Sequence, residues 1–456
     1  MTQKKYLKWY HKIGYGSGDI AGNVVYALLT SFLMFYLTDS IGLSMGIVGT
    51  LMAVSKIFDG VSDFFFGRMI DKTRTKMGKA RPWMLWAYIG CAIMLILTFS
   101  VPTSWGETAQ YVYFFITYTS LNAIFFTANN IAYATLTALI TKNTNERVQL
   151  GSYRFIFAFA TSMIIQYVTI KAVGWCGGGT NGWRTVTIVM ALIGLIVNTI
   201  SCFSVKELKE ADFELEAERA EESKLTFKES FKLLVTNKYY LIICAIYILT
   251  QIYSSMIGIG VYYAKYILEN EDLFGTFSLF INIPMVIGLI ISPILISKLK
   301  GMYKINIGGY VVATVFRGMV IVAGYLGNLP MMLIFTALAS FGICPLQGDM
   351  NALIASCSEY TTLKTGKCID GMMFSCSSLG IKVGGALGTA ICGWLLDAAG
   401  YIENATVQNA STVSMMNVLY LWLPMLICLI VAVLLSFLKV ETANKKIKQE
   451  IISNNA

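Results

Sequence analysis

The sequence predicts an all-α integral membrane protein with twelve transmembrane helices in two six-helix bundles. Three observations predict it. Of 456 residues, 56% are hydrophobic and only 13% are charged, whereas soluble domains carry about 25% charged residues. Long apolar stretches cover nearly the whole chain, each able to supply the roughly 20 residues that cross a bilayer. The connections between them alternate between rich and poor in Lys and Arg.

The spans fall near 14–37, 47–67, 83–101, 110–138, 152–173, 185–205, 239–266, 274–297, 305–325, 331–356, 370–399 and 413–438. Basic connections are 1–12, 68–81, 142–154, 206–238, 298–304, 364–367 and the tail after Lys439. Connections 38–46, 102–110, 327–330 and 400–412 contain no Lys or Arg. Cytoplasmic loops keep positive charge, so both termini are expected in the cytoplasm and the protein in the plasma (inner) membrane. The net charge of +9 then reflects topology and attraction to anionic lipid. It does not indicate nucleic acid, which would need a basic patch on a soluble face. No cleavable signal peptide is expected, because the first apolar run is span-length and contains Asp19.

The longest polar segment, 206–238, is rich in Glu and Lys and separates six spans from six. The expected organisation is a first bundle over 1–205, a charged cytoplasmic linker over 206–238, a second bundle over 239–440 and a tail over 441–456. Two six-span halves are a common transporter layout, with the substrate held near the midplane between them. The ten cysteines lie mostly inside spans without metal-ligand spacing and read as small packing residues. His11 is the only histidine, which argues against histidine metal or proton-relay chemistry. No nucleophile set or sizeable outer domain points to an enzyme, and no resident cofactor is expected. Asn404-Ala-Thr406 matches the glycosylation triplet, a short pattern that arises often by chance.

Ionisable groups at bilayer depth are costly and mark pathways. Span 1 carries Asp19, span 2 carries Lys56, Asp59 and Asp63, span 5 begins with Arg154, span 10 carries Asp349 and span 11 carries Lys382. Four residues apart on a helix, Asp59 and Asp63 lie about 40° apart in projection and about 6 Å in height. Two such carboxylates can converge on one small cation, with Ser62 and Thr127 as neutral oxygen donors. Crowded like charges would also raise one carboxyl, so a proton could replace a metal ion. Lys56, three residues before Asp59, could pair with it when the ion is absent. The alternative is a purely structural ion-pair network.

Asp19, Asn23 and Tyr26 share one face of span 1, and Thr127, Asn130 and Tyr133 form a polar and aromatic stripe on span 4, with Asn129 beside it. A sugar asks for carboxylate and amide partners for its hydroxyls and an aromatic face for its C–H surface. Interhelical hydrogen bonding is the competing use of such residues. Lys382 sits mid-span opposite Gly380, Gly384 and Gly388, so glycine packing would turn it inward to neutralise acids. Arg154 either serves substrate hydroxyls or is an inside-facing positive residue. Asp349 either lines a cavity or pairs with Lys382.

The stretch Asp59-Gly-Val-Ser-Asp63, followed by Gly67-Arg-Met-Ile-Asp71-Lys-Thr-Arg74-Thr-Lys-Met-Gly78-Lys-Ala-Arg81-Pro82-Trp83, resembles a family signature. It is that of the glycoside–pentoside–hexuronide:cation symporters, a branch of the major facilitator superfamily. Tyr15-Gly-Ser-Gly-Asp19, Glu359-Tyr-Thr-Thr-Leu-Lys-Thr-Gly366 and Ser378-Leu-Gly-Ile-Lys382-Val-Gly-Gly are similar too, and the resemblance runs through most of the chain. It implies that Asp59 and Asp63 bind the coupling cation with Thr127 nearby, that Asp19 and Arg154 contact sugar, and that Lys382 lies close to both. In that loop, Asp71 with Arg74 and Arg81 reads as a state-dependent charge latch. Departures stand at Asn130, where the melibiose branch has a second sugar-binding Asp, at Ala134 for an aromatic, at Gly18 for a lysine and at Ser62 for an Asn. An α-galactoside is therefore not the expected substrate.

The expectation is secondary active symport of a sugar or glycoside with Na⁺ or H⁺ by a monomeric transport unit. A carrier of lipid or amphipathic solutes on the same scaffold, and a multi-pass membrane enzyme or receptor, are the alternatives.

Overall fold

The computed structural model describes residues 5–141, 143–208, 227–299, 301–366, 370–403 and 405–454. Among them no strand forms; an isolated bridge joins Thr75 and Gly78 in the loop after the second span. The principal helices are α1 (Gly18–Ser31), α2 (Met45–Lys72), α3 (Arg81–Thr98), α4 (Thr127–Ile140), α5 (Thr144–Trp175) and α6 (Gly179–Ser204). They continue with α7 (Lys238–Gly258), α8 (Leu273–Leu299), α9 (Tyr303–Tyr325), α10 (Leu329–Thr365), α11 (Asp370–Ala398) and α12 (Leu423–Phe437).

Among the described residues, ten helices are long and apolar enough to cross a membrane, eleven if Trp9–Ser31 and Leu33–Ile41 count as one span bent by 49°. The expected span over 110–138 is one helical run from Glu107 to Ile140, interrupted by a π segment at Ser120–Phe126. Such a segment holds an extra residue in the turn and shifts the faces on either side of it. Most of the expected linker, 209–226, lies outside the described residues, as does Asn404.

Two compact units divide the chain, and the division does not follow chain order. One contains Met1–Asp212, Gly258–Ser278 and Thr389–Met416; the other contains Phe213–Ile257, Leu279–Gly388 and Asn417–Ala456. In the first, α1 packs on α5 and α6, α3 on α4 and α6, and α2 on α4. In the second, α9 packs on α10 and α12. Glycine permits the closest approaches. A methyl at Gly342 would lie 2.5 Å from the Gly309 carbonyl oxygen, and methyls at Gly384 and Gly388 would reach within 2.6 Å of Ile248 and Ser255 on α7. The Gly380-Gly384-Gly388 stripe thus seats α11 on α7.

Each unit closes its basic loops with a carboxylate. The first N–H groups of a helix have no partner inside it and favour negative charge. Glu207, just beyond α6, accepts from the N–H groups of Lys79 at 2.7 Å and of Ala80 and Arg81 at 3.0 Å, capping α3. Glu441, just beyond α12, accepts from Met302 at 3.0 Å and Tyr303 at 3.1 Å, capping α9. Gly78 and Gly301 leave room for these carboxylates; a β-carbon at Gly78 would collide with Glu207. The two caps use the same device.

Glu146, in the first turn of α5, holds the segment ahead of α1. It accepts from Tyr6 N at 3.2 Å, Leu7 N at 3.1 Å and Thr141 Oγ1 at 2.6 Å, with Lys12 Nζ 3.8 Å away. Burial pushes this carboxyl up, but the hydrogen bonds and the lysine outweigh it and hold Glu146 below the usual carboxylate range. A depressed value in the folded protein means stability that is present above the ordinary carboxyl value, roughly 4.3, and lost as pH falls through the folded one. Glu146→Gln should therefore lower the unfolding temperature near neutral pH and flatten the loss of stability on acidification. Thermal unfolding in detergent from about pH 7 to about pH 3 reads this; an unchanged acid limb would contradict it.

Candidate functional site

Gly16, Ser17 and Gly18 let the chain pass from the short helix Trp9–Gly16 into α1, so that Asp19 lies in the first turn of α1. Its carboxylate is answered from two other helices. Arg154 Nε on α5 donates to Oδ2 at 2.6 Å, Nη2 reaches Oδ1 only at 3.5 Å, and Tyr133 on α4 donates to Oδ2 at 3.3 Å. The arginine also sits over the Tyr133 ring, 4.2 Å from its centroid, a favourable cation–π placement. One strong and one long contact leave part of the guanidinium fork free for another acceptor.

Beneath this pair, Tyr15 and Tyr133 brace each other. Each hydroxyl comes within 2.7 Å of the other's backbone carbonyl, and their rings are 4.7 Å apart. Tyr133, expected to meet substrate, is only 4% exposed; it forms the floor under Asp19 and Arg154. Asn23 donates to the Asp19 carbonyl at 2.9 Å and accepts from Ser162 at 3.1 Å, fixing α1 on α5. Asn129 is buried and donates to the Met84 carbonyl, an interhelical use. Tyr26 and Asn130 stand exposed. Gly18 explains one departure from the family pattern. A β-carbon there would meet Ser201 Oγ at 2.6 Å and the Tyr133 ring at 2.8 Å, so this platform leaves no space for a lysine stem.

Asp59, Ser62 and Asp63 lie on α2, all partly buried. Thr127, the first residue of α4 after the π segment, hydrogen bonds through its hydroxyl to Asp59 Oδ1. The same hydroxyl lies 2.9 Å from the Asn122 carbonyl inside the π segment. Ser62 donates to the Asp59 carbonyl at 2.9 Å, leaving its lone pairs on the α2 surface. Lys56 reaches Thr389 Oγ1 at 3.4 Å. Among the described residues no cluster of three His, Cys, Asp or Glu side chains could hold a metal ion.

The remaining expected residues make contacts of their own. Arg81 donates from Nε to the Cys202 carbonyl at 2.9 Å, binding α3 to α6, and Arg74 reaches the Thr73 carbonyl at 3.2 Å. The side chain of Asp71 lies outside what is described. Within the second unit taken by itself, Asp349 accepts from Asn306 Nδ2 at 3.2 Å, and Lys382 is partly buried on α11.

Sequence reasoning missed a second buried acid. Asp39 lies inside the π segment Tyr36–Ile41 and its side chain is 2% exposed. It accepts from Lys265 Nζ at 2.5 Å, Tyr266 Oη at 2.7 Å and Tyr401 Oη. Connection 38–46 drew notice only for lacking Lys and Arg, though an acid at the end of an apolar span was a usable signal. Asp39 and Lys265 line a cavity of about 760 Å³ together with Trp175, Trp183, Lys171 and Glu271.

Residues 14–442 match the MFS/sugar transport protein family. The chain belongs to this family. It is 27% identical over 461 residues to the isoprimeverose transporter of Lactiplantibacillus pentosus, covering 100% of this chain and 94% of that protein. It is 28% identical over 464 residues to a putative glycoside/cation symporter of Escherichia coli, covering 100% and 97%. Among solved structures it resembles a D-xylose-proton symporter with TM-score 0.58 at 16% identity, over 93% of this chain and 94% of that one. It also resembles the nucleoside transporter NupG with TM-score 0.61 at 12% identity, over 94% and 98%. The fold is that of the major facilitator superfamily, and the chain is a multi-pass membrane secondary transporter of the glycoside–pentoside–hexuronide:cation type, not an enzyme.

Packing at Gly18 sets a direct test of the platform. Gly18→Ala should cost about 1–3 kcal/mol through overpacking and lower the unfolding temperature, because Ser201 and Tyr133 are both anchored to the Tyr15 carbonyl, at 2.9 and 2.7 Å. Unfolding at the wild-type temperature would show that the site has slack.

Proposed function

We propose that this protein couples inward movement of a sugar or glycoside to Na⁺ or H⁺, with both termini cytoplasmic in the inner membrane and a monomer as the transport unit. The observation that carries the proposal is the Thr127 contact to Asp59 from an adjacent helix. A cation entering between these residues takes oxygen from Asp59, Asp63, Ser62 and Thr127. The single hydrogen of Thr127 then turns to the Asn122 carbonyl, 2.9 Å away, and the hydroxyl lone pairs face the ion. When the coupling ion is a proton, it resides on the carboxylate and Thr127 remains a hydrogen-bond partner. Two such pictures share one set of residues.

The sugar occupies the surface offered by Tyr26, Asn130 and the free portion of Arg154, with Asp19 accepting from its hydroxyls. Lys382 is a charge-balancing residue of the cycle. Lys56, Asp71, Arg74, Arg81 and Asp349 belong to the conformational network. Each ligand favours the bound state of the other, which is the thermodynamic content of coupling. The kinship with an isoprimeverose transporter and the Asn130 position favour a pentose-containing glycoside over an α-galactoside. In alternating access, the Asp39 knot is the device that closes one mouth, since its donors come from segments 258–278 and 389–416 that chain order places in the second half.

Uptake of labelled isoprimeverose into proteoliposomes, under imposed Na⁺ or pH gradients, tests the reading. Accumulation should follow one of these gradients, and Asp59→Asn should abolish it while sparing downhill exchange, a loss of about ten-fold or more in accumulation ratio. Uptake of this and other glycosides that ignores both gradients would end the symport proposal.

For the Asp39 knot, Asp39→Asn should raise hydrogen exchange at Gly260–Tyr266 by about ten-fold or more. Exchange at the wild-type rate would remove the gate assignment.

A further inference from the structure

Every residue that lines the cavity beside Asp39 belongs to the first unit. Its volume of about 760 Å³ falls within the roughly 300–1,000 Å³ of small-molecule sites. The end of α5, the start of α6, the helix Gly260–Tyr266 and the segment leading into α8 contribute to it. It therefore lies at the end of the unit where connection 38–46 carries no Lys or Arg, which loop charge makes the outer end. Trp183 is buried against Phe32 and Phe99. Trp175, which also lines the cavity, is 80% exposed. An indole at a bilayer interface can serve as an anchor, but an anchor has no use for a polar cavity at its side. The wall also holds Glu269, whose φ of 54° is the one positive value outside glycine among the described residues. Glutamate adopts left-handed backbone at a cost, and such strain collects at functional sites. Glycine would take that conformation freely, so turn geometry alone does not account for a carboxylate there.

The charges in the wall decide the class of ligand. Lys171 and Lys265 stand against Asp39, Glu269, Glu271 and Asp272. Asp39 and Lys265 pair at 2.5 Å, and Glu271 lies 3.8 Å from the same ammonium. The Lys171 ammonium rests 4.2 Å from the centre of the Tyr167 ring, a contact that leaves N–H donors to spare. Asn270 accepts from the Asp272 N–H at 3.0 Å, and its amide nitrogen supplies two further donors. An anion would meet four carboxylates here, and a small cation would meet two ammonium groups. A neutral polyol suits both signs. Each hydroxyl accepts from a lysine or an amide and donates to a carboxylate, while the C–H face of the ring covers the indole. Gly178 and Gly179 line the same cavity, and a β-carbon on either would meet nothing within 4 Å, so the backbone there leaves room for a ligand. We propose that this cavity is a second sugar site, where a neutral sugar or glycoside docks at the outer mouth, stacked on Trp175, before it reaches Asp19. The proposal rests on the transport reading above. Asp39 follows Asp19 by 20 residues on one bent helical run, so roughly 25 Å separates the two sites.

The test uses the full-length protein with labelled isoprimeverose and a labelled methyl β-xyloside as probes. For whichever probe the wild type accumulates in proteoliposomes, Trp175→Ala should raise KM about five-fold with Vmax nearly unchanged, and Trp175→Tyr should restore most of the wild-type value. A side chain that serves as a membrane anchor alone would instead lower Vmax with the amount of folded carrier and leave KM where it was. Glu269→Gly, which suits the left-handed backbone, should also raise KM about five-fold with no fall in unfolding temperature. Equilibrium dialysis separates the two sites. Folded Asp19→Asn should still bind the probe, and adding Trp175→Ala should weaken that binding about five-fold or more. A wild-type KM in Trp175→Ala, or an Asp19→Asn protein whose binding is absent or indifferent to Trp175→Ala, would overturn this proposal and leave transport intact. A wild type that takes up neither probe would remove the transport reading for these sugars and this proposal with it.

Discussion

A carboxylate withheld from water must be answered by donors that the chain itself supplies, and that constraint organises this protein. An unanswered buried charge costs more than any neighbouring contact returns. Asp19 is met by Arg154 and Tyr133, Asp39 by Lys265, Tyr266 and Tyr401, Glu146 by two backbone amides and Thr141, and Glu207 by three amides at the head of α3. Each answer joins segments far apart in sequence. Helix packing supplies the bulk of the contact, but these acids decide which helix faces which.

Asp59 is handled differently. The hydroxyl that reaches it has a second acceptor close by, the Asn122 carbonyl. That carbonyl is within reach because the helix widens at Ser120–Phe126, and π segments recur where function needs irregular backbone. A donor with a choice of acceptors lets an exchangeable cation come and go without leaving a bare polar group behind. The Asp19 platform, by contrast, is braced by reciprocal Tyr15 and Tyr133 hydrogen bonds and is built to hold still.

Hydropathy and loop charge made the helical membrane class legible, because length and periodicity of apolar runs are local properties. The convergence of Asp19 with Arg154 and of Asp59 with Thr127 was legible through the family signature. What escaped was long-range partnership. Nothing local in Glu207 or Glu441 says that it caps a helix more than a hundred residues earlier. Tyr133 carried the right pattern for a sugar face, but the space left by Gly18 drew its ring beneath the arginine. Arg317 satisfied the rule that a charge inside a span deserves notice and was passed over; its hydrogen-bond partner, Tyr253, is not charged.

The placement of Glu207 and Glu441 also bears on how the molecule is made. The opening turn of the third helix is completed by a residue that follows the sixth, and that of the ninth by one that follows the twelfth. During synthesis neither turn can mature until the ribosome has delivered the last helix of its set. Each of these two caps is therefore completed late, and a chain that stops short of Glu207 or of Glu441 leaves the opening turn of α3 or of α9 uncapped.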